Sequence, residues 1–340
     1  MDKLKADFIK VAPGAEGAAV AGVALTAKSV ILMGERASES EGLISATVAL
    51  AAKTGAKLAW IPRRAGERGA LEAGALPTLL PGGRPVEDSA ARVDIAAAWG
   101  VDSLPATAGR TTHQIIEALA SGDLDSVVVG GVDAYDLRHS RKALDALKKS
   151  FVVSLEIAHS SVTDVADVVL PVAAVTEKSG SFLNWEGRAR SFDSAVADSL
   201  NRSDVRILSA LADVMGESIM LGTVSATARE IAQLGKWDGA RASFTPVASA
   251  SAPSVAGDKA IFTSWRRLLD MGTMQRGEDN LAGTRRPTVA VVSPQRASAI
   301  GVVTGDQIRI SNESGSITLP ALVEDIHDDA VWIPRNSFGS

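Results

Sequence analysis

Residues 166–190, with the sequence ADVVLPVAAVTEKSGSFLNWEGRAR, decide the fold. The segment opens as a buried strand, because Val168, Val169 and Leu170 are consecutive apolar residues and two of them are β-branched. Pro171 lacks a backbone donor and is expected to end the strand. A polar loop with two glycines follows, and open α/β sheets bind ligands in loops that leave the carboxyl ends of their strands. The segment therefore predicts a parallel α/β fold and a candidate site.

Strands and helices alternate on the amino-terminal side of this segment. Val30–Met33 and Lys57–Ile61 are predicted strands on either side of a helix over Glu39–Thr54. Val127–Val129 and Phe151–Leu155 are two further buried strands. Further predicted helices are Val86–Trp99, Thr112–Ala120, Ser140–Lys149 and Ser203–Met215. This β-α-β order predicts a mostly parallel sheet with right-handed crossovers.

Two stretches between these elements are rich in glycine. Residues 62–85 combine Gly, Pro and Arg without a period and predict a long loop, in which Arg63, Arg64 and Arg68 face either an anion, an acidic partner or solvent. Near the start, Gly14, Gly17 and Gly22 fail the G-x-G-x-x-G spacing, so a plain loop is favoured over a dinucleotide-binding turn.

The carboxyl-terminal third changes character. Asp258–Met271 has apolar residues on one side and predicts an amphipathic helix, which packs on protein or on a membrane surface. Short strands separated by turns between Val289 and Ile333 predict a small β domain. The predicted fold class is α/β, doubly wound and mostly parallel, followed by a small β-barrel-like domain. The predicted domains are an α/β domain at 1–165, its continuation at 166–237, a linker at 238–258, an amphipathic helix and connection at 259–286, and the β domain at 287–340.

The composition excludes several kinds of site. A net charge of −5 argues against a nucleic-acid-binding surface. Cysteine is absent, which excludes disulfides, thiolate-bound iron–sulfur clusters and a cysteine nucleophile on this chain. The four histidines are scattered, so a multi-histidine metal site is not expected. The first ten residues lack the apolar core of a signal peptide, and no apolar run is long enough to predict a membrane span.

Glu177 and Glu186 are the candidates for acid–base chemistry. Two carboxylates near each other can act as acid and base, but no residue pattern positions a substrate between these two. Lys178 and Arg188 lie next to them in sequence, so locally balanced charges are the favoured interpretation. A serine nucleophile is not expected either, because the chain has no G-x-S-x-G motif.

The opening segment also resembles a known family. Ala166–Pro171, Glu177–Lys178, Gly180–Phe182, Asn184 and Glu186–Arg188 match a pattern shared by molybdopterin oxidoreductases and the G subunit, the large iron–sulfur subunit, of NADH-quinone oxidoreductase (respiratory complex I). L-P-G-G-R at 80–84 and the predicted β domain are similar to the G subunit as well, so the resemblance covers most of residues 28–215 and part of the end of the chain. One departure is Val132–Asp133, where the family often has Asn-Pro or Asp-Pro.

The resemblance implies a function. It identifies the chain as the carboxyl-terminal, molybdopterin-oxidoreductase-like region of an actinobacterial-type G subunit. Such a region is a scaffold in the peripheral arm, on the cytoplasmic side of the bacterial inner membrane, in a complex that transfers electrons from NADH to quinone coupled to proton translocation. The implied partners are the other peripheral-arm subunits and its own amino-terminal iron–sulfur region, which carries the [2Fe–2S] and [4Fe–4S] clusters.

The resemblance also implies candidate cofactor-binding residues. In molybdopterin enzymes the corresponding loop holds the pterin dinucleotide, so Lys178, Ser181, Asn184 and Arg188 are the candidates here. Resemblance to the G subunit instead implies the same fold without a pterin and with no cofactor on this chain. The alternative hypothesis is a fragment of a molybdopterin enzyme similar to formate dehydrogenase, whose 166–190 loop binds the cofactor.

Overall fold

The computed structural model describes residues 5–137, 139–196, 198–219, 223–251, 253–313 and 315–337. The chain folds into two compact units. The first consists of Met1–Ile61 together with Thr245–Ser340, and the second of Pro62–Phe244.

The elements alternate between helix and strand over most of the chain. The α-helices are α1 (Glu16–Ala21), α2 (Leu43–Thr54), α3 (Glu67–Glu72), α4 (Ser89–Trp99), α5 (Thr112–Ser121), α6 (Ser140–Leu147), α7 (Asp204–Val214), α8 (Val224–Leu234), α9 (Asp279–Ala282) and α10 (Pro294–Ile300). The strands are β1 (Val30–Gly34), β2 (Lys57–Ile61), β3 (Leu79–Leu80), β4 (Arg84–Pro85), β5 (Ser126–Gly130), β6 (Phe151–Glu156), β7 (Val168–Pro171), β8 (Gly180–Leu183), β9 (Ala189–Phe192), β10 (Ile261–Thr263), β11 (Ala290–Val292), β12 (Gln307–Asn312), β13 (Gly315–Val323) and β14 (Ala330–Trp332). Among the described residues, no helix is long and apolar enough to cross a bilayer.

A three-stranded parallel sheet forms the centre of the second unit. Its order is β5-β6-β7, and α5 and α6 pack beside it. Leu119 of α5, Leu147 of α6 and Val152 of β6 are at most 3% exposed and form its core. The predicted burial of Val168 and Val169 is wrong, since they are 37% and 43% exposed on β7. Asp167 fixes the start of β7, since its backbone N–H donates to the Val152 carbonyl and its carboxylate accepts the Val152 N–H.

Arg84 holds the edge of the second unit together. Its side chain is 3% exposed, and its guanidinium donates to Asp94 on α4 and to the carbonyls of Pro81, Leu234 and Gly235. Leu234 is the last residue of α8, so the cation also lies at the negative end of that helix. The long loop predicted at 62–85 contains α3 and the β3–β4 hairpin, and Arg84 near its end is buried.

The first unit joins the two ends of the chain. β1 and β2 form a parallel pair with α2 between them in sequence, as predicted. Residues 247–250 return to α2, where Ser45 Oγ accepts the Val247 N–H at 2.9 Å. A Cβ at Gly42, which precedes α2 at φ +75°, would lie only 2.4 Å from Ser249 Cα. The sequence predicted one domain over 1–165, because no local pattern reveals that a distant segment packs against Gly42.

A five-stranded mixed sheet completes the first unit, in the order β10-β14-β11-β13-β12. Its core includes Val292, Ile308, Leu319, Val331 and Ile333. With this sheet and the parallel strands, the predicted α/β fold class with a carboxyl-terminal β domain is confirmed.

The amphipathic helix predicted over Asp258–Met271 is wrong. No helix occurs between these residues, which the structure describes throughout, and Ile261–Thr263 forms β10 instead. Parallel pairing with Ala330–Trp332 supplies backbone partners that outweigh a weak helical period. Trp265 of this segment contacts the Trp332 ring at a centroid distance of 4.8 Å and lies under the guanidinium of Arg36.

We expect Gly42→Ala to lower the free energy of unfolding by about 2–4 kcal/mol, because it combines a left-handed backbone with a clash against residues 248 and 249. Gly100→Ala is the matched control: Gly100 has φ +66° at the end of α4, with no atom within 4 Å of an added Cβ. Its cost should be about 1 kcal/mol. Urea unfolding of both variants measures the difference, and equal costs would contradict the close packing of 248–249.

We expect Arg84→Lys to destabilise the protein by about 2–4 kcal/mol, because an ammonium group cannot reach the four acceptors of a buried guanidinium. Arg110→Lys, at an exposed position, should change stability by less than about 0.5 kcal/mol. Thermal unfolding followed by circular dichroism compares them. If Arg84→Lys has the same melting temperature as the wild type, the hydrogen bonds of the buried guanidinium are dispensable for stability.

Candidate functional site

The loops at the carboxyl ends of β5 and β6 meet at the edge of the parallel sheet. Asp133 follows β5, and Ser161 follows β6. Ser161 Oγ donates to Asp133 Oδ1 at 2.7 Å and accepts the Ala134 N–H at 3.0 Å. Asp133 thus joins the two loops at the position where the sequence departs from the family pattern.

A serine–threonine turn closes the second of these loops. The Ser160 N–H donates to Thr163 Oγ1 at 2.7 Å, and that hydroxyl donates back to the Ser160 carbonyl at 2.9 Å. Ser160 is only 7% exposed. Neither residue is among the predicted site residues, although a Ser and a Thr three positions apart are a known turn signal. The Ser160 hydroxyl accepts the Thr163 N–H at 3.3 Å, so both hydroxyls stabilise the loop itself.

Glu177 joins the end of β7 to a distant part of the chain. One carboxylate oxygen accepts the Ala174 N–H at 2.8 Å, and the other accepts the Ser199 hydroxyl at 2.7 Å and the Asn201 amide at 2.9 Å. Backbone donation from Ala174, followed by the bonds from Ser199 and Asn201, lowers the pKa of Glu177 below its ordinary value of 4.5. A carboxylate satisfied by three donors is a structural group rather than a general base.

Lys178, the next residue, reaches the same returning segment. Its ammonium contacts the Asp204 carboxylate at 2.5 Å, in the first turn of α7. Backbone bonds support this contact, since the Ala173 N–H donates to the Arg202 carbonyl at 2.8 Å. Glu177 and Lys178 therefore act together in holding the segment that leads from β9 to α7.

A β-hairpin follows where the sequence predicted a loop. β8 and β9 pair antiparallel, with Gly180 opposite Phe192 and Phe182 opposite Arg190. The Phe182 and Phe192 rings stack with centroids 5.3 Å apart. Gly180 allows this packing, because a Cβ there would lie 2.8 Å from the Phe192 ring. The strands are too short for their alternation to stand out in the sequence.

The tip of the hairpin is closed by the side chain of Asn184. Asn184 Oδ1 accepts the Arg188 N–H at 2.8 Å, and the Asn184 N–H donates to the Arg188 carbonyl at 3.0 Å. Gly187 adopts φ +84° between them. Glu186 lies 3.3 Å from both the Asn184 amide and Arg188 Nε. The polar residues of the tip thus bind one another.

The four predicted cofactor-binding residues do not converge on one point. Lys178 contacts α7, Ser181 is exposed in β8 opposite Ser191, and Asn184 and Arg188 contact their own loop. A pterin dinucleotide would need donors directed together at its phosphate groups. These side chains fit that requirement poorly, so their role in binding a cofactor stays a prediction. Glu177 and Glu186 likewise bind different segments, which favours balanced charges over an acid–base pair.

Comparisons with known proteins agree with the motifs. The family model for molybdopterin oxidoreductase matches residues 9–214, and that for the molydopterin dinucleotide binding domain matches residues 261–339. The chain is 47% identical to the NADH-quinone oxidoreductase G subunit of Mycobacterium bovis, covering 100% of this chain and 44% of that protein. It is also 47% identical to the corresponding G subunit of Streptomyces coelicolor, over 96% of this chain and 39% of that protein.

A shorter match concerns the alternative hypothesis. Formate dehydrogenase H of Escherichia coli is 32% identical over 44% of this chain and 21% of its own length. The predicted resemblance to the actinobacterial G subunit is thus confirmed along the full chain, whereas the resemblance to formate dehydrogenase covers less than half of it. The chain spans about two fifths of the length of the G subunit relatives it matches.

We expect Glu177→Gln to lower the melting temperature at neutral pH, because an amide cannot accept all three hydrogen bonds. The lowered pKa means that the stabilisation by the Glu177 carboxylate is complete above the unfolded-state value of about 4.5 and is lost as the pH falls through the lower folded-state value. The difference in melting temperature between variant and wild type should therefore shrink at acidic pH. A difference that is independent of pH between 7 and 3 would contradict this role for the ionised carboxylate.

Variants of Asn184 and Arg188 at the hairpin tip distinguish a structural role of these residues from a ligand-binding role. Asn184→Ala should cost about 0.5–1.5 kcal/mol, because it removes the acceptor for the Arg188 N–H. Arg188→Ala should cost less than about 0.5 kcal/mol, since the arginine side chain is 63% exposed. Thermal unfolding with and without inorganic diphosphate measures both. If diphosphate raises the melting temperature of the wild type and Arg188→Ala abolishes that rise, the ligand-binding role is supported instead.

Proposed function

Because the chain belongs to the molybdopterin oxidoreductase family, we propose that it is the region of the complex I G subunit that keeps this fold as a scaffold without a redox centre of its own. The similarity to that protein over 96–100% of the chain carries the proposal. The absence of cysteine agrees with it, because iron–sulfur clusters bind mainly through cysteine thiolates.

The contacts at the candidate site support a scaffold. Glu177 and Lys178 are engaged with Ser199, Asn201 and Asp204. Asn184 closes its own hairpin. The residues that resemble a cofactor-binding loop therefore hold the backbone of this loop in place, and the same fold can persist while the chemistry of its site is lost.

The proposal extends to the parent assembly. There the [2Fe–2S] and [4Fe–4S] clusters lie on the amino-terminal part of the same polypeptide and carry electrons from NADH towards quinone. This region packs against that part and against other subunits of the peripheral arm, at the cytoplasmic face of the bacterial inner membrane. It contributes to electron transfer by holding the cluster-bearing part in position.

Purification from a cell that also produces the other peripheral-arm subunits of an actinobacterial complex I tests the proposal. We expect a tagged form of the chain to copurify with those subunits and to contain neither molybdenum nor pterin in stoichiometric amounts. Mass spectrometry identifies the subunits, elemental analysis measures molybdenum, and fluorescence after oxidation measures pterin. Circular dichroism confirms that the chain is folded, and the tag alone is the control.

Two results would overturn the proposal. Stoichiometric molybdenum and pterin in the folded chain would favour the formate-dehydrogenase-like alternative. A folded chain that copurifies with no subunit beyond those that bind the tag would remove its role as a scaffold of the peripheral arm.

A further inference from the structure

An open groove lies on the β domain of the first unit. Its volume is about 1150 Å³. Its floor is apolar and includes Val292, Ile308, Val331 and Ile333, which also belong to the hydrophobic core of this domain. The groove is therefore a place where the core of the domain reaches the surface.

Both edges of the five-stranded sheet border this groove. β10 and β12 are the outer strands, and within the described residues each pairs with one neighbouring strand only. Phe262 of β10 and Ile310 of β12 line the same groove, so the sheet curls until its two edges face a common space. An outer strand offers backbone N–H and C=O groups to an additional strand.

The apolar lining extends into solvent. Phe262 is 60% exposed and Ile300 is 45% exposed, although both border the apolar floor. Large apolar side chains next to an open strand edge are the usual features of a site that binds an extended peptide by strand addition. Main-chain hydrogen bonds then supply affinity, and alternate side chains of the peptide enter the groove.

The charges around the groove indicate what such a peptide carries. Lys259, Arg296, Arg309 and Arg335 lie among its described lining residues, with Asp258 as the carboxylate. Arg296 contacts Asp329 and Arg335 contacts Glu39 within the chain, so the exposed Lys259 and Arg309 form the cationic rim. This cationic rim occurs on a chain whose net charge is −5. Acidic side chains on the occupant would complement the rim, and carboxylates opposite Arg309 would form favourable cross-strand pairs.

We infer that the groove binds an extended segment of a partner protein, in which apolar and acidic residues alternate, as an added strand along β12. The apolar residues enter the groove beside Ile308 and Ile310, and the acidic residues face outwards beside Arg309. β12 has six residues, and a six-residue strand is about 20 Å long, so a short segment suffices. The inference does not depend on the proposed place in complex I.

Two synthetic peptides test the inference on the full chain. One alternates three valines with three glutamates, and the control has the same composition in two blocks. We expect the alternating peptide to bind at least about tenfold more tightly in fluorescence anisotropy, because only its pattern places every valine on one face. We also expect it to slow amide hydrogen exchange in residues 307–312.

A matched pair of charge reversals tests the cationic rim. Arg309→Glu should weaken binding of the alternating peptide several-fold, and more at low salt than at high salt. Lys28→Glu reverses an exposed charge outside the groove of the same unit and should leave binding unchanged. Circular dichroism verifies that both variants are folded, so a loss of binding reports on the groove.

Several results would overturn the inference. Equal binding of the two peptides, or unchanged exchange in residues 307–312, would exclude strand addition at β12. Saturable binding of inorganic diphosphate without binding of the peptide would identify a groove for small anions. A concentration-dependent dimer that protects β12 without any peptide would identify a second copy of this chain as the occupant.

Discussion

The hydrogen bonds to the Glu177 carboxylate are the interaction on which the conformation of residues 171–204 depends. β7 ends at Pro171, and the chain then makes a hairpin and returns before α7 begins. A backbone hydrogen bond from the Ala173 N–H to the Arg202 carbonyl holds the return next to the end of β7. Glu177 adds three donors from two segments, and hydrogen bonds to a charged acceptor are stronger than neutral ones. The Lys178–Asp204 pair is partly exposed, so it contributes less energy and mainly fixes direction.

This constraint gives the family motif a structural role that needs no cofactor. If Glu177, Lys178 and Asn184 bound only a ligand, a chain without that ligand would leave polar groups of the loop unsatisfied. Here each of them bonds to the protein itself. The protein itself therefore supplies the contacts that shape the loop. These side chains are of types that can bind an anion, but here they form hydrogen bonds and ion pairs with backbone and side-chain groups of the same chain.

The sequence predicted the parallel strands well and the short or long-range elements poorly. Val127–Val129 and Phe151–Leu155 are predicted correctly as strands because both are short apolar runs bounded by polar residues. The predicted burial is wrong for part of them, since Val128 is 56% exposed and Phe151 is 52% exposed. β10 was mistaken for a helix, because three residues carry no clear period and their partner strand begins 69 positions later. The hairpin of β8 and β9 was missed for a similar reason, since each strand has only four residues.

The candidate site shows the same limit at the level of single residues. The motif identified the correct segment, but a residue type does not reveal its partner. Arg84 belongs to the predicted long loop at 62–85, yet its acceptors include carbonyls 150 and 151 residues away and its side chain is buried at the end of α8. Sequence patterns report where polar groups occur, whereas function depends on whether the fold has already satisfied them, and that follows only from contacts between distant segments.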